Sequence, residues 1–299
     1  MDDGVKLFTV DAFTAVPFKG NPAAVCLIEN NDLVPDDMKQ KIATEMNLSE
    51  TAFVLKLMPD DEFKTASKFL LQWFTPTNEV PLCGHATLAS AAVLFNCYGN
   101  KSEVLAFETL SGTLYASRQE QKVFIDLPLN SPEPMIPDEI EKLLELTIGN
   151  NVPYQDLQYS HTTKKLLIRL KDCVTRKELE NLTPQTELMV DAVPSGKVKG
   201  VIITLRGFPE NGCSSQDGKT YDFVSRYFAP WNGIDEDPVT GSAHTVLGPY
   251  WSKELNKTPL YAHQCSARGG DLYVNVRSDG RVDIGGDAVI VLKAKLFCH

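Results

Sequence analysis

Two segments of this chain carry the same ordered device, and that repetition limits the possible folds more than any other feature. In each, an aromatic, strand-like run ends in proline, and a glycine then opens the most apolar helix of that half. The first reads Trp73-Phe74-Thr75-Pro76 followed by Cys83-Gly84-His85-Ala86-Thr87; the second reads Tyr227-Phe228-Ala229-Pro230 followed by Thr240-Gly241-Ser242-Ala243-His244. The intervals are similar, 7 residues from Pro76 to Cys83 and 10 from Pro230 to Thr240. Helices apolar on nearly every side must be surrounded by other structure. The expectation is therefore a two-lobed α+β molecule with pseudo-twofold symmetry, each lobe built around one central helix.

Length and composition agree. A chain of 299 residues is long enough for about two domains of ordinary size. Its 43% hydrophobic and 23% charged residues are those of a globular protein rather than a disordered one. Acidic residues outnumber basic ones 39 to 29 and no Lys/Arg cluster occurs, which argues against a nucleic-acid partner, since phosphate neutralisation needs a positive surface. The longest stretch free of charged or strongly polar side chains, residues 86–95, is far short of the ~20 needed to span a bilayer. With an N-terminus lacking a basic start or apolar run, the expected location is cytoplasmic. Seven scattered cysteines without a CxxC pair read as reduced thiols.

Period-two patterns predict strands at 6–13, 23–28, 51–57, 68–74, 104–110, 113–118 and 122–127, with helices at 35–46 and 85–96. Residues 128–137 hold four prolines and form the candidate linker, dividing an N-terminal lobe, 1–127, from a C-terminal lobe, 128–299. Beyond it a helix is expected at 138–146, strands near 166–170, 198–206 and 221–228, and the second apolar helix from 241 to about 255. Strands at 260–266, 271–277 and 281–297 close the chain, the last read as one strand or two and able to pair back with the first lobe.

A glycine-led helix start offers backbone N–H groups without intrahelical partners and the positive end of the helix dipole, suited to a carboxylate or phosphate. It can equally be a tight turn into a core helix. His85 and Ser242, directly after the glycines, can hydrogen-bond a bound acid. Glu50 stands at the start of an apolar strand, and carboxylates held among apolar neighbours are the usual source of general acid/base groups. Asp237 precedes the second glycine-led helix, where an acidic residue is often only a cap. No Walker A loop, Gly-x-Gly-x-x-Gly, Gly-x-Ser-x-Gly or His-Glu-x-x-His sequence occurs. The five histidines lack metal-ligand spacing. A mechanism without cofactor or metal is expected.

Several blocks resemble the PhzF family: Gly20-Asn21-Pro22-Ala23-Ala24-Val25, Asn47-Leu48-Ser49-Glu50-Thr51-Ala52-Phe53, Leu82-Cys83-Gly84-His85-Ala86-Thr87-Leu88-Ala89, Glu236-Asp237-Pro238-Val239-Thr240-Gly241-Ser242-Ala243-His244 and Gln264-Cys265-Ser266-Ala267-Arg268-Gly269-Gly270. The resemblance implies a diaminopimelate-epimerase-like fold, two similar lobes each wrapping an antiparallel sheet around a central helix, with the active site between them. In the family's bacterial isomerase of phenazine synthesis a Glu shuttles a proton between carbons of dihydro-hydroxyanthranilate, and the matching residue is Glu50. The resemblance further implies Asp237 and His85 as catalytic partners, and Asn21, Ser49, Gly84, Gly241 and Ser242 as substrate-binding positions.

The wider fold family includes epimerases with two opposed thiols. Cys83 matches the first thiol position, but Thr240 stands at the second, which argues against a two-thiol racemase and leaves Cys83 readable as a small buried residue. The expected function is a cofactor-independent isomerase moving a proton on a small carboxylate. The competing expectation is a binding or scaffold protein that kept the cleft and acts through a protein partner. A homodimer is implied by family analogy alone, and neither nucleic acid nor membrane is expected as a partner.

Overall fold

The computed structural model describes residues 4–29, 34–134, 140–193 and 196–297. It begins with strands β1 (Val5–Ala12) and β2 (Asn21–Ile28), helix α1 (Asp36–Met46), β3 (Thr51–Lys56), β4 (Lys68–Phe74), β5 (Glu79–Val80) and helix α2 (Gly84–Ala92). There follow β6 (Val104–Thr109), β7 (Gly112–Gln119), β8 (Lys122–Pro128), α3 (Ile140–Ile148), β9 (Tyr154–Ser160), β10 (Lys165–Leu170), α4 (Arg176–Glu180), α5 (Thr186–Ala192), β11 (Gly200–Arg206) and β12 (Phe223–Phe228). Helix α6 (Gly241–Leu255) and strands β13 (Leu260–Gln264), β14 (Gly270–Val276), β15 (Arg281–Gly286) and β16 (Ala288–Leu296) complete it. Two compact units result: described residues up to Leu127 together with those from Asp283 onward, and Pro128–Val282.

Within the first unit the strands run in the order β16-β1-β2-β3-β4-β6-β7-β8, with the short β5 paired to β4. The second unit's sheet runs β14-β13-β12-β11-β10-β9. The pairing scheme is the same in both. β1 with β2 is antiparallel, β2 with β3 parallel, β3 with β4 antiparallel, β4 with β6 parallel and β6 with β7 antiparallel. From β9 to β14 the alternation repeats in that sequence. Each sheet is thus mixed, a correction to the antiparallel sheets expected. Each parallel pair is joined through helix, as a parallel crossover requires: α1 after β2, α2 after β4, α4 and α5 after β10, and α6 after β12.

Burial follows from this layering. Strand β2 is buried at nearly every position, because Ala24, Cys26 and Ile28 pack with Ile42 and Ala43 of α1 while alternate residues point to the other face. Helix α2 touches β1, β2, β3, β7 and β16, so the first sheet curls around it. Its residues from His85 to Ala92 are all buried, matching the apolar pattern, and it continues as a π-helical turn over Val93–Cys97. In the second unit Leu143, Leu179 and Met189 of the outer helices pack with Leu166, Ile168 and Val201 of the sheet. The opposite face receives α6, whose Gly248 lets the helix approach β14: a Cβ there would lie 2.8 Å from Val274.

The region expected as one or two closing strands is two, β15 and β16. Strands β5 and β9 and helices α4 and α5 were not expected. Of the proline-rich stretch, residues up to 134 are described: Asn130 donates from its backbone and side chain to Thr245, and Glu133 bridges to Tyr159. Residues 135–137 and the first two residues of the helix expected at 138–146 lie outside the described residues. The six described cysteines are thiols rather than disulfides, and Cys298 lies outside the described residues. No described helix is long and apolar enough to cross a membrane.

Candidate active site

In the first unit, sheet and helix bring Glu50, Ser49, His85 and Cys83 together. Glu50 directly precedes β3, and its backbone carbonyl accepts from the N–H of Ala24, which anchors it beside β2. Its carboxylate Oε2 lies 3.4 Å from Nε2 of His85, and both side chains are largely buried. Ser49 Oγ lies 3.5 Å from the same nitrogen. Cys83 Sγ is 3.4 Å from the second ring nitrogen, Nδ1. Asn21, the first residue of β2, is fully buried.

Gly84 and His85 form the first turn of α2. Cys83 is the N-cap residue, in extended conformation, and no side chain caps the helix. Its carbonyl accepts instead from the backbone and hydroxyl of Thr87. The first-turn N–H groups, which have no carbonyl partner within a helix, therefore receive no side-chain cap at a point where imidazole, carboxylate, hydroxyl and thiol converge. That arrangement can hold an anionic group and place a base beside it.

The second unit repeats the helix start with different attachments. Thr240 is the extended N-cap residue of α6, again without a side-chain cap. Its hydroxyl donates to Asp237 Oδ2, and its backbone N–H donates to Gln264 Oε1 at 2.9 Å. Gln264 returns a hydrogen bond to the Asp237 carbonyl at 2.7 Å, and Ser266 Oγ donates to the carbonyl of Pro238. The loop that presents Asp237, Gly241 and Ser242 is fixed from both sides. Gly241 is buried and Ser242 half-buried. His244 is wholly buried with its ring stacked on Phe223; its Nδ1 lies 2.8 Å from the Thr240 carbonyl. Burial pushes this imidazole down to about 4, so it is neutral at pH 7, donates through Nδ1 and serves as structure.

Lys165, a residue the sequence reading did not single out, also belongs to this region. It opens β10 and is only 7% exposed, with its ammonium 5.7 Å from the Tyr227 ring centroid. Burial lowers its pKa to about 8, partly offset by the attraction of Asp237. Burial and Asp237 likewise push the Tyr227 hydroxyl well above its usual range. The sequence Lys165-Leu166-Leu167 gives no hint of this; it depends on Tyr227 and Asp237, distant in the chain. Glu50, Cys83 and His85 likewise escape a search for ligand spacing, because β3 and α2 bring them together.

A family model described as phenazine biosynthesis-like protein, PhzC-PhzF, matches residues 10–294. The phenazine biosynthesis-like domain-containing protein of Homo sapiens is 55% identical over 292 residues, covering 98% of this chain and 99% of the relative. An uncharacterized isomerase of Pseudomonas aeruginosa is 41% identical, covering 98% of each. Among solved structures, a PhzF-family protein of Enterococcus faecalis matches with a TM-score of 0.80 at 38% identity, covering 99% of this chain and all of that one. A probable proline racemase of Agrobacterium radiobacter shares the fold alone, at TM-score 0.54 and 11% identity over 99% of this chain and 93% of that one. The fold is diaminopimelate-epimerase-like, as expected.

Proposed function

Because the chain belongs to the PhzF family, whose fold is that of isomerases and epimerases, we propose that it is a proton-transfer isomerase acting on a small carboxylate with its own side chains. The observation that carries this reading is the pairing of Glu50 with His85, 3.4 Å apart at the uncapped start of α2. In the proposed reaction the substrate carboxylate is held by the first-turn N–H groups and His85. Glu50 takes an acidic proton from carbon and returns it to another carbon, and Ser49 and Asn21 help to orient the substrate. Asp237, Gly241 and Ser242 of the second unit are assigned to holding or protonating it. Donors already aimed at the developing enolate lower the barrier by about 3 kcal/mol each, since they need no reorganisation as charge appears. A homodimer is part of the proposal on family grounds, and a cytoplasmic location is part of it as the default from the sequence.

The test is mass-spectrometric or NMR detection of deuterium from D2O in a panel of small carboxylates that includes dihydro-hydroxyanthranilate. The expected result is incorporation into at least one of them by the wild-type protein and a rate about a thousandfold lower with Glu50→Gln. Absence of exchange across the panel, from folded protein, favours the alternative of a binding or scaffold protein.

A further inference from the structure

The start of α2 also gathers a set of atoms that proton transfer uses only in part. One ligand atom each from Glu50, Cys83 and His85 lie within 4.8 Å of one another. Glu50 Oε2 lies 3.4 Å from Nε2 of the imidazole and Cys83 Sγ 3.4 Å from its Nδ1. A tetrahedral zinc ion, with bonds of roughly 2.0–2.3 Å, holds its ligand atoms on the order of 3.5 Å apart. One ring nitrogen, the sulfur and one carboxylate oxygen therefore need side-chain movements of only about 1 Å to surround such an ion. The backbone that carries them is fixed by the first turn of α2 and by the Ala24 hydrogen bond to Glu50. A mixed sulfur, nitrogen and oxygen set selects a thiophilic divalent cation over magnesium or calcium, which prefer oxygen alone.

We propose that Glu50, Cys83 and His85 form an inhibitory binding site for a divalent cation of the zinc class. On binding, the Cys83 thiol releases its proton to solvent, and the thiolate, one imidazole nitrogen and the Glu50 carboxylate each donate a lone pair; no oxidation state changes. Three protein ligands leave the fourth position of the ion open to water or to a substrate oxygen. Ion binding does not depend on the isomerase reading. Its consequence, silencing of the base, rests on Glu50 carrying the proton.

The experiment is titration of the full-length, metal-stripped protein with Co2+, reading the thiolate-to-cobalt charge-transfer band, followed by displacement with Zn2+. A single site with a thiolate band is expected. Cys83→Ser should abolish the band and weaken Zn2+ binding at least about a hundredfold, since even outer-shell changes cost 10–100-fold. A Cys173→Ser/Cys298→Ser double variant, which leaves the cluster intact, should keep the band. The proposal is overturned if the wild type shows no thiolate band, if the band survives in Cys83→Ser of native circular dichroism, or if it disappears in the double variant. All three outcomes are read without any substrate, so they stand apart from the exchange assay.

Discussion

The two units use one helix start for different ends, and their histidines show how. His85, in the first turn of α2, has a carboxylate and a hydroxyl beside Nε2 and a thiol beside Nδ1. His244, two positions further into its helix, is turned inward against Phe223 and uses Nδ1 on the carbonyl of Thr240. The residues ahead of the glycines differ in the same sense. Cys83 leaves its side chain beside His85, whereas Thr240 commits its hydroxyl to Asp237 and its N–H to Gln264. A shared strand and helix scheme thus supports a cluster of carboxylate, imidazole, hydroxyl and thiol in one unit and a braced carboxylate in the other. Side-chain environment, not the backbone device, sets the role.

If that contrast is right, the largest effect belongs to the first unit. Glu50→Gln should lower deuterium exchange by about a thousandfold, within the usual range for a lost general base, whereas Asp237→Asn should cost nearer tenfold to a hundredfold. Equal losses would erase the distinction. The next effect is on stability. The folded pKa of His244 lies at about 4, below its ordinary 6.5. Between those values the unfolded chain binds the proton that the folded chain refuses, so stability falls as pH drops through this window. The contribution approaches roughly 3 kcal/mol, and urea unfolding at neutral pH and near pH 4 should show it in the wild type and not in His244→Gln.

The smallest effect concerns the buried tryptophans. In the second unit, Trp251 Nε1 donates to Thr204 Oγ1 at 2.9 Å and its ring stacks on Phe223. Trp73 Nε1 in the first unit has no hydrogen-bond partner among the described residues. Both are almost fully buried. Trp251→Phe should therefore cost about 1 kcal/mol more than Trp73→Phe in denaturant unfolding, because it also leaves the Thr204 hydroxyl without its donor.

The central helices and most strands of the first unit were legible in the sequence, because α2 and α6 are apolar all round and open with glycine after an extended residue. Strand direction was not: a period of two marks a strand without saying which neighbour it pairs with, so the parallel pairs β2 with β3 and β10 with β11 were missed. Strand β9 escaped because it opens with the exposed pair Tyr154-Gln155 followed by Asp156, which breaks the apolar alternation. Helix α4 is only five residues long, yet it carries its own signal, a reciprocal capping box between Thr175 and Glu178. At the site, residue types could be named one by one from the family motifs. Their convergence could not, since Glu50 meets His85 and Cys83 only after β3 and α2 have packed.

The most direct test of Glu50 as the proton carrier is the rate of deuterium exchange by a Glu50→Ala variant as formate is added, on a carboxylate that the wild type labels. No exchange is expected without formate, and a rate that rises with formate concentration as the small acid takes the vacated position. Exchange at the wild-type rate in the absence of formate would contradict that role for Glu50.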